Sequence, residues 1–284
     1  MDRFLKLKDG ISIPKLGQGT WFLGEDKKFE SNEIESIRVG IENGMTLIDT
    51  AEMYGEGLAE ELVGKAIANY DRKKLFLVSK VYPHNAGRNR IFSSCEKTLN
   101  RMGIEYLDLY LLHWRGSVPL SETVECMEEL VAMGKIKNWG VSNFDIDDMK
   151  ELMLVKNGDK CAINQVLYHL GSRGIEYSLY PWMKEHHIPV MAYCPMAQGG
   201  SLDKSINRNT VLNEIAKKYN LSVQELLLAF VLKQDNMIAI PRTGNPKHAI
   251  RNANVINIEL TQQDLDILDK EFPAPNRKLH LDIV

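Results

Sequence analysis

The chain has 284 residues, of which 44% are hydrophobic and 26% are charged, and its formal net charge is -3, a composition typical of soluble globular proteins. Its basic residues form no block, no apolar run is as long as the roughly 18 residues of a membrane span, and its cysteines lack CxxC spacing; nucleic-acid binding, membrane insertion and a metal site are therefore not expected. Since the amino-terminus also lacks a signal-peptide pattern, we expect a cytoplasmic protein, with a monomer as the default.

The first predicted element is a small hairpin in the sequence FLKLKDGISIP. Two short alternating runs flank Asp9 and Gly10, a pair that favours a two-residue turn. A hairpin of this size can close one end of a larger sheet or barrel.

After the hairpin, a short apolar run followed by an amphipathic stretch recurs along the chain. We interpret the apolar runs as eight strands, at residues 14–21, 46–51, 75–81, 107–113, 138–144, 161–169, 188–196 and 237–243. Alternating strands and helices indicate a parallel sheet, and eight units indicate a (β/α)8 barrel that occupies residues 1–284 as a single domain. A Rossmann-type sheet is the second choice, disfavoured because no GxGxxG follows the first strand.

Two of the intervening helices carry recognisable start signals. Ser31 is the predicted N-cap of a helix that stops at Gly44, and Ser222 with Glu225 forms a capping box.

Polar residues follow the predicted strands at regular intervals. Asp49, Lys80, His113 and Asn143 are each about 30 residues apart, the length of one βα unit. Because the carboxyl ends of barrel strands meet at one face, we expect these groups and Tyr54 to converge there. Each residue alone is more often a cap, a solvated strand end or a structural histidine; the shared spacing favours a common site.

These groups suggest an acid catalyst. The ammonium of Lys80, held by Asp49, is expected to lower the pKa of Tyr54 from about 10 and so make Tyr54 a general acid near neutral pH. Neutral His113 can donate a hydrogen bond to a substrate carbonyl. Reduction of that carbonyl also requires a hydride, which implies a nicotinamide cofactor.

Three long runs resemble, in order, signatures of the aldo-keto reductase family. They are LIDTAEMYGEGLAEELVGKAI (47–67), LLHWRGSVPLSETVECMEELVAMGKIKNWGVSNF (111–144) and IPRTGNPKHAIRNA (240–253). The end of the chain resembles bacterial methylglyoxal reductase-like members, so small 2-oxoaldehydes are the expected substrates.

The resemblance implies a role for individual residues and NADPH, rather than NADH, as cofactor. It implies that Asp49, Tyr54, Lys80 and His113 are catalytic. It implies that the nicotinamide and pyrophosphate contact Ser142, Asn143, Gln165, Tyr193, Cys194, Met196 and Gln198. It implies that the adenosine 2′-phosphate end contacts Arg242, Thr243, Asn245, His248, Arg251 and Asn252.

The chain departs from the family pattern at three of these positions. Arg242 stands where Lys is frequent, His248 where Arg is frequent, and Arg251 where Glu is frequent. Arg242 keeps the charge and can make bidentate phosphate contacts. Our hypothesis is that Arg251, on the same helix face as His248, replaces part of the lost charge.

We expect aromatic and sulfur side chains to line the substrate side, namely Trp21, Met53, Tyr82 and Trp114. The segment after residue 272 is short, which predicts an open pocket without a long lid. A cofactor-binding regulatory subunit with little turnover is the alternative function. A metal-dependent hydrolase barrel is a third possibility, but the sequence has no HxH or HExxH pattern.

Overall fold

Eight parallel strands, hydrogen-bonded in chain order, form the predicted barrel. The computed structural model describes residues 2–197 and 206–284. The barrel strands are β3 (Gly17–Gly19), β4 (Leu47–Asp49), β5 (Phe76–Val81), β6 (Leu107–Leu112), β7 (Ile136–Ser142), β8 (Asn164–Leu167), β9 (Val190–Tyr193) and β10 (Met237–Ala239). Each of them lies within one of the predicted runs or overlaps it, so the barrel prediction is confirmed.

The barrel closes between its first and last strands. The amide of Ala239 donates to the carbonyl of Lys15 at 2.8 Å, and the amide of Gly19 donates to the carbonyl of Pro241 at 3.0 Å. A Cβ at residue 19 would lie only 2.9 Å from the carbonyl oxygen of Ile240. Glycine at this position therefore allows the two backbones to approach closely at the seam.

The helices surround the barrel, and most follow a strand. They are α1 (Glu30–Glu42), α2 (Leu58–Ile67), α3 (Ile91–Met102), α4 (Leu120–Ala132), α5 (Ile146–Leu154), α6 (Leu179–Glu185), α7 (Thr210–Lys218), α8 (Val223–Lys233), α9 (Pro246–Asn254) and α10 (Gln262–Glu271). The capping box of Ser222 and Glu225 at α8 is confirmed. The Ser31 cap is wrong: α1 begins two residues earlier than that cap implies, with Phe29 rather than Ser31 at the cap position.

The amino-terminal hairpin is present, but its turn is longer than predicted. Strands β1 (Phe4–Lys6) and β2 (Ser12–Pro14) pair antiparallel. The amide of Leu7 donates to Ile11, and that of Gly10 donates to Leu7. Gly10 has φ of +85°, so the loop holds three residues, with glycine in the left-handed position that such loops require.

The hairpin packs into the amino-terminal end of the barrel. Leu7 and Ile13 are buried in one cluster with Leu47 of β4, Met191 of β9 and Ile163, the residue before β8. Apolar side chains therefore fill the interior at this end of the barrel.

Toward the carboxyl ends of several strands, the side chains that face the barrel interior change from apolar to polar. Because side chains alternate along a strand, residues two apart point in the same direction. The inward apolar residues Leu47, Val78, Leu111, Ile163, Met191 and Ile240 are each followed two residues later by Asp49, Lys80, His113, Gln165, Tyr193 and Arg242. The strand period thus directs these polar groups to one mouth of the barrel. Within the described residues, no helix has the length and apolar character needed to cross a membrane.

Candidate active site

Lys80 lies at the centre of the polar cluster and is fully buried. Its Nζ atom lies 2.7 Å from Oδ2 of Asp49, 2.9 Å from the carbonyl oxygen of Thr50 and 3.0 Å from the hydroxyl of Tyr54. An ammonium has three protons to donate. These three acceptors therefore satisfy it completely and fix its direction.

Asp49 is buried beside Lys80 and is held by a second donor. Its Oδ1 atom accepts a hydrogen bond of 2.7 Å from Nε2 of Gln165. Burial raises the pKa of Asp49, while the Lys80 charge and the hydrogen bonds from Lys80 and Gln165 act in the opposite direction. Burial likewise lowers the pKa of Lys80, and the Asp49 carboxylate counteracts it. Asp49 and Lys80 therefore form an ion pair. Each charge offsets the cost of burying the other.

Tyr54 differs from the expectation in the direction of its pKa shift. Burial raises the pKa of Tyr54 well above its ordinary value, and the negative charge of Asp49 adds to the effect. The predicted lowering is not found because the charge of Lys80 is balanced by Asp49, so that desolvation dominates. The phenol therefore keeps its proton at neutral pH and presents it to the cavity.

His113 is neutral in this environment. Burial and the Lys80 charge lower its pKa to about 2. Its Nδ1 atom is buried and has no hydrogen-bond partner among the described residues, and its ring stands edge-on to that of Tyr54 at 5.8 Å between centroids. A neutral imidazole beside a protonated phenol suits recognition of a carbonyl oxygen.

The cavity at this mouth brings together three of the four predicted catalytic residues and part of the predicted cofactor residues. Its lining includes Asp49, Tyr54, His113, Ser142, Asn143, Gln165, Tyr193, Cys194 and Arg242, together with Trp21 and Met53 of the predicted substrate side. Tyr82 and Trp114 lie outside this lining. The Trp114 ring lies 4.9 Å from that of His113, and Tyr82 meets Trp114 edge-on at 5.8 Å, so the two form an outer rim.

One wall of the cavity fits the predicted nicotinamide end of NADPH. The Tyr193 hydroxyl donates to Oδ1 of Asn143 at 2.9 Å, and Nδ2 of Asn143 lies 3.2 Å from the carbonyl of His113. The Ser142 hydroxyl donates to the carbonyl of Gln165 at 2.9 Å. An aromatic ring bordered by amides and a hydroxyl is suited to a flat ring that carries a carboxamide.

The predicted phosphate end centres on the start of α9. The Asn245 side chain caps this helix by accepting from the amide of Lys247, and the amide of Asn245 donates to the Thr243 hydroxyl at 3.1 Å. His248 follows in the first turn, where helix amides favour phosphate. This part of the chain therefore also fits the cofactor.

The remaining predicted cofactor residues differ in burial and in their hydrogen-bond partners. Nε of Arg251 lies 3.0 Å from Oε1 of Glu225, so its charge already has a partner. Asn252 is buried. Met196 is partly buried against the main core, and Gln198 lies outside the described residues.

The cavity also contains residues that sequence reasoning missed. Gly19, Thr20, Ile240 and Val284 line it, and the Thr20 hydroxyl donates to the carbonyl of Asp49 at 2.9 Å. Gly19, Thr20 and Ile240 lie within two residues of predicted site residues at strand ends. Their position in the sequence could therefore have indicated that they line the cavity.

Val284 reaches the cavity because the carboxyl-terminal segment folds back over the barrel. Lys278 pairs with Asp145, and the Ser172 hydroxyl donates to Asp282. The carboxyl-terminal segment therefore forms part of the wall of the cavity, while the expectation that the pocket has no long lid stays a prediction. Contacts so distant along the chain leave no local pattern in the sequence.

Comparison with known proteins agrees with this geometry. The model of the Aldo/keto reductase family matches residues 15–271. The chain is 50% identical over 282 residues to methylglyoxal reductase YeaE of Escherichia coli (strain K12), with 99% of each chain covered. It is 36% identical to glyoxal reductase of Bacillus subtilis (strain 168), over 93% of this chain and 91% of that one.

Solved structures give the same result. An aldo/keto reductase from Klebsiella pneumoniae in complex with NADP and acetate superposes with a TM-score of 0.97, at 46% identity and with 100% of both chains covered. The thermostable aldo-keto reductase Tm1743, in complex with the inhibitor epalrestat, has a TM-score of 0.85 at 35% identity and covers 94% of this chain and 98% of its own. The resemblance found in the sequence is thus confirmed, and the chain belongs to the aldo/keto reductase family.

Proposed function

We propose that this protein reduces small aldehydes to alcohols with NADPH and that 2-oxoaldehydes such as methylglyoxal are its preferred substrates. One observation carries the proposal: the protonated hydroxyl of Tyr54, 3.0 Å from Nζ of Lys80, opens into the same cavity as neutral His113. Family membership supports an NADP-dependent oxidoreductase, and NADP in the Klebsiella pneumoniae structure supports the cofactor.

The residues of this chain provide the proton and the orientation. NADPH, when bound, supplies the hydride that the carbonyl carbon requires. Tyr54 releases its proton to the carbonyl oxygen, which has become an alkoxide-like base, so a raised phenol pKa does not prevent the transfer. The Lys80 ammonium then stabilises the tyrosinate, and Asp49 keeps that ammonium in place. His113 donates a hydrogen bond to the carbonyl oxygen and orients it.

NADPH would be held along the wall and helix start described above. Asn143, Ser142 and Gln165 offer polar atoms to the carboxamide, and Tyr193 offers its ring. The start of α9, with Thr243 and Asn245, would bind the adenosine 2′-phosphate. Arg242 and His248 would supply charge there, and the contribution of Arg251 stays a prediction because Glu225 already pairs with it.

Small substrates are favoured by the walls of the cavity. Trp21, Met53 and Val284 contribute apolar surface close to Tyr54, and bulky carbonyl compounds would have to displace them. The names of the two relatives, methylglyoxal reductase and glyoxal reductase, support 2-oxoaldehydes as the class to test first.

The alternative of a regulatory subunit with little turnover gains no support from these relatives. Three features predicted from the sequence remain part of the proposal: a single domain over the whole chain, a cytoplasmic location and a monomeric state.

The test is NADPH oxidation by the purified protein, followed by its absorbance, with methylglyoxal, glyoxal and a panel of larger aldehydes. Turnover with the highest kcat/KM on 2-oxoaldehydes is the expected result. NADPH binding without turnover on any aldehyde would favour the regulatory alternative. Faster turnover with NADH than with NADPH would contradict the cofactor assignment.

A further inference from the structure

The loop between β3 and α1 forms one wall of the active site. Trp21 lines the cavity, and its ring centroid lies 6.5 Å from that of Tyr54. The next side chain, Phe22, stacks on Trp21 with centroids 4.4 Å apart. The Trp21 ring therefore bounds the space beside Tyr54, and Phe22 packs on that ring from outside the lining.

The backbone of this wall is strained at Phe22. This residue has φ of +63°, in the left-handed region where the Cβ of a bulky side chain clashes with the backbone. Such a conformation persists only where surrounding contacts enforce it.

Arg242 supplies contacts on both sides of the strained position. Its Nε atom lies 2.9 Å from the carbonyl oxygen of Trp21, and its Nη2 atom lies 3.5 Å from the carbonyl oxygen of Phe22. Arg242 itself is fixed by the barrel seam, where it forms a bridge with Gly19. The guanidinium thus connects the rigid barrel to two consecutive carbonyls of the loop.

The other anchors of the loop flank the two aromatic residues. The Thr20 hydroxyl donates to the carbonyl of Asp49 at 2.9 Å, and the amide of Leu23 donates to the carbonyl of Thr20 at 2.9 Å. Leu23 is buried, and the amide of Gly24 donates to Oε2 of Glu33 at 2.9 Å. None of these contacts involves the carbonyl of Trp21 or of Phe22. Arg242 is therefore the side chain that holds these two carbonyls.

We propose that Arg242 is a positioning residue for the carbonyl substrate, because it fixes the Trp21–Phe22 wall in addition to any contact with NADPH. The effect on the carbonyl substrate rests on the proposed function, whereas the effect on the Trp21–Phe22 loop does not. The planar fork of arginine places two N–H donors toward neighbouring carbonyls, whereas lysine has a single nitrogen. A lysine at position 242 could therefore not reproduce both contacts with the same geometry.

The decisive variant is Arg242→Lys, which keeps the positive charge and removes the fork. We expect KM for methylglyoxal at saturating NADPH to rise about tenfold, while Kd for NADPH changes less than threefold. The matched control is Arg88→Lys, which alters an exposed fork to Glu129 and is expected to leave both constants unchanged. An unchanged KM in Arg242→Lys, or a KM that rises only in proportion to Kd, would overturn the proposal.

A second readout does not require turnover. Trp21 is exposed to acrylamide to a degree that its fluorescence quenching reports. Its fluorescence is isolated by subtracting the signal of a matched protein that carries Trp21→Phe. Quenching of this residue should at least double in Arg242→Lys. The same increase is expected in Arg242→Gln, which replaces the lysine variant in this experiment if that variant does not fold. Unchanged quenching would refute the structural part even in an active enzyme. Increased quenching in a protein that reduces no aldehyde would instead uphold the positioning role and refute the proposed function.

Discussion

Asp49 and Lys80 form an ion pair of 2.7 Å between side chains that are 2% and 0% exposed. Removal of one partner from such a pair leaves an uncompensated charge in the interior and costs about 3–5 kcal/mol. We predict that Lys80→Met lowers the free energy of unfolding by about this amount and abolishes most activity, since Tyr54 loses the charge that stabilises its anion.

The double variant Asp49→Leu/Lys80→Met separates the two effects. Because it removes both charges, most of the lost stability should return while activity stays absent. Urea unfolding and NADPH oxidation measure the two quantities. Wild-type stability in the single variant would show that the pair is not buried as described.

The neutral state of His113 predicts a dependence of stability on pH. Its pKa is about 2 in the folded protein and about 6.5 in the unfolded chain. Well above pH 6.5 the imidazole is neutral in both states, and His113 does not lower the free energy of unfolding. Below pH 6.5 the unfolded chain takes up a proton that the native state does not, so stability falls progressively toward pH 2.

This dependence can be isolated with His113→Gln. Between pH 7.5 and 5.5 the His113 contribution amounts to about 1.4 kcal/mol, and the loss of unfolding free energy over that interval should be smaller in the variant by about the same amount. Urea unfolding at the two pH values makes the comparison. Equal losses in both proteins would mean that His113 titrates alike in the native and the unfolded state, which would contradict its lowered pKa.

The buried carboxylate of Glu60 predicts a second stability effect. Glu60 is 0% exposed and accepts from the Arg101 guanidinium at 2.5 Å and from the Ser79 hydroxyl at 2.6 Å. Arg101→Met should therefore lower the unfolding free energy by about 3 kcal/mol. The control Arg88→Met removes an exposed pair and should lower the free energy of unfolding far less. Similar values for the two variants would contradict the burial of Glu60.

The four cysteines are predicted to react slowly in the native protein. All are free and buried, and burial raises the pKa of Cys194 to about 11 and that of Cys161 to about 12, which suppresses the reactive thiolate. Titration with a thiol reagent at pH 7.5 should detect four thiols in denaturant and fewer than one fast-reacting thiol without it. A rapid reaction of one thiol in native protein, protected by NADPH, would place Cys194 in an ionised state.

Much of the barrel and of the catalytic cluster was predictable because both follow from a local period. Side chains two apart share a face of a strand, and βα units of about 30 residues repeat, so Asp49, Lys80 and His113 could be assigned to one mouth. The hairpin loop was mispredicted because the Asp-Gly pair is compatible with more than one loop length.

The remaining features depend on contacts between distant segments. The pKa direction of Tyr54 depends on burial and on how far Asp49 balances Lys80, neither of which is encoded locally. The wall formed by Val284 and the bonds from Arg242 to the Trp21 loop join opposite ends of the chain. Single-sequence patterns carry no signal for such contacts, so only the folded chain reveals them.

The central claim is that Tyr54 donates the proton, and a single-turnover measurement tests it most directly. The protein is loaded with NADPH and mixed with excess methylglyoxal, and NADPH absorbance is followed in wild type, in Tyr54→Phe and in the control Tyr177→Phe, which alters an exposed tyrosine. The account predicts NADPH binding in all three proteins and a rate for Tyr54→Phe that is lower by about 10²–10⁴-fold. A rate within tenfold of wild type would contradict the assignment of Tyr54 as the acid.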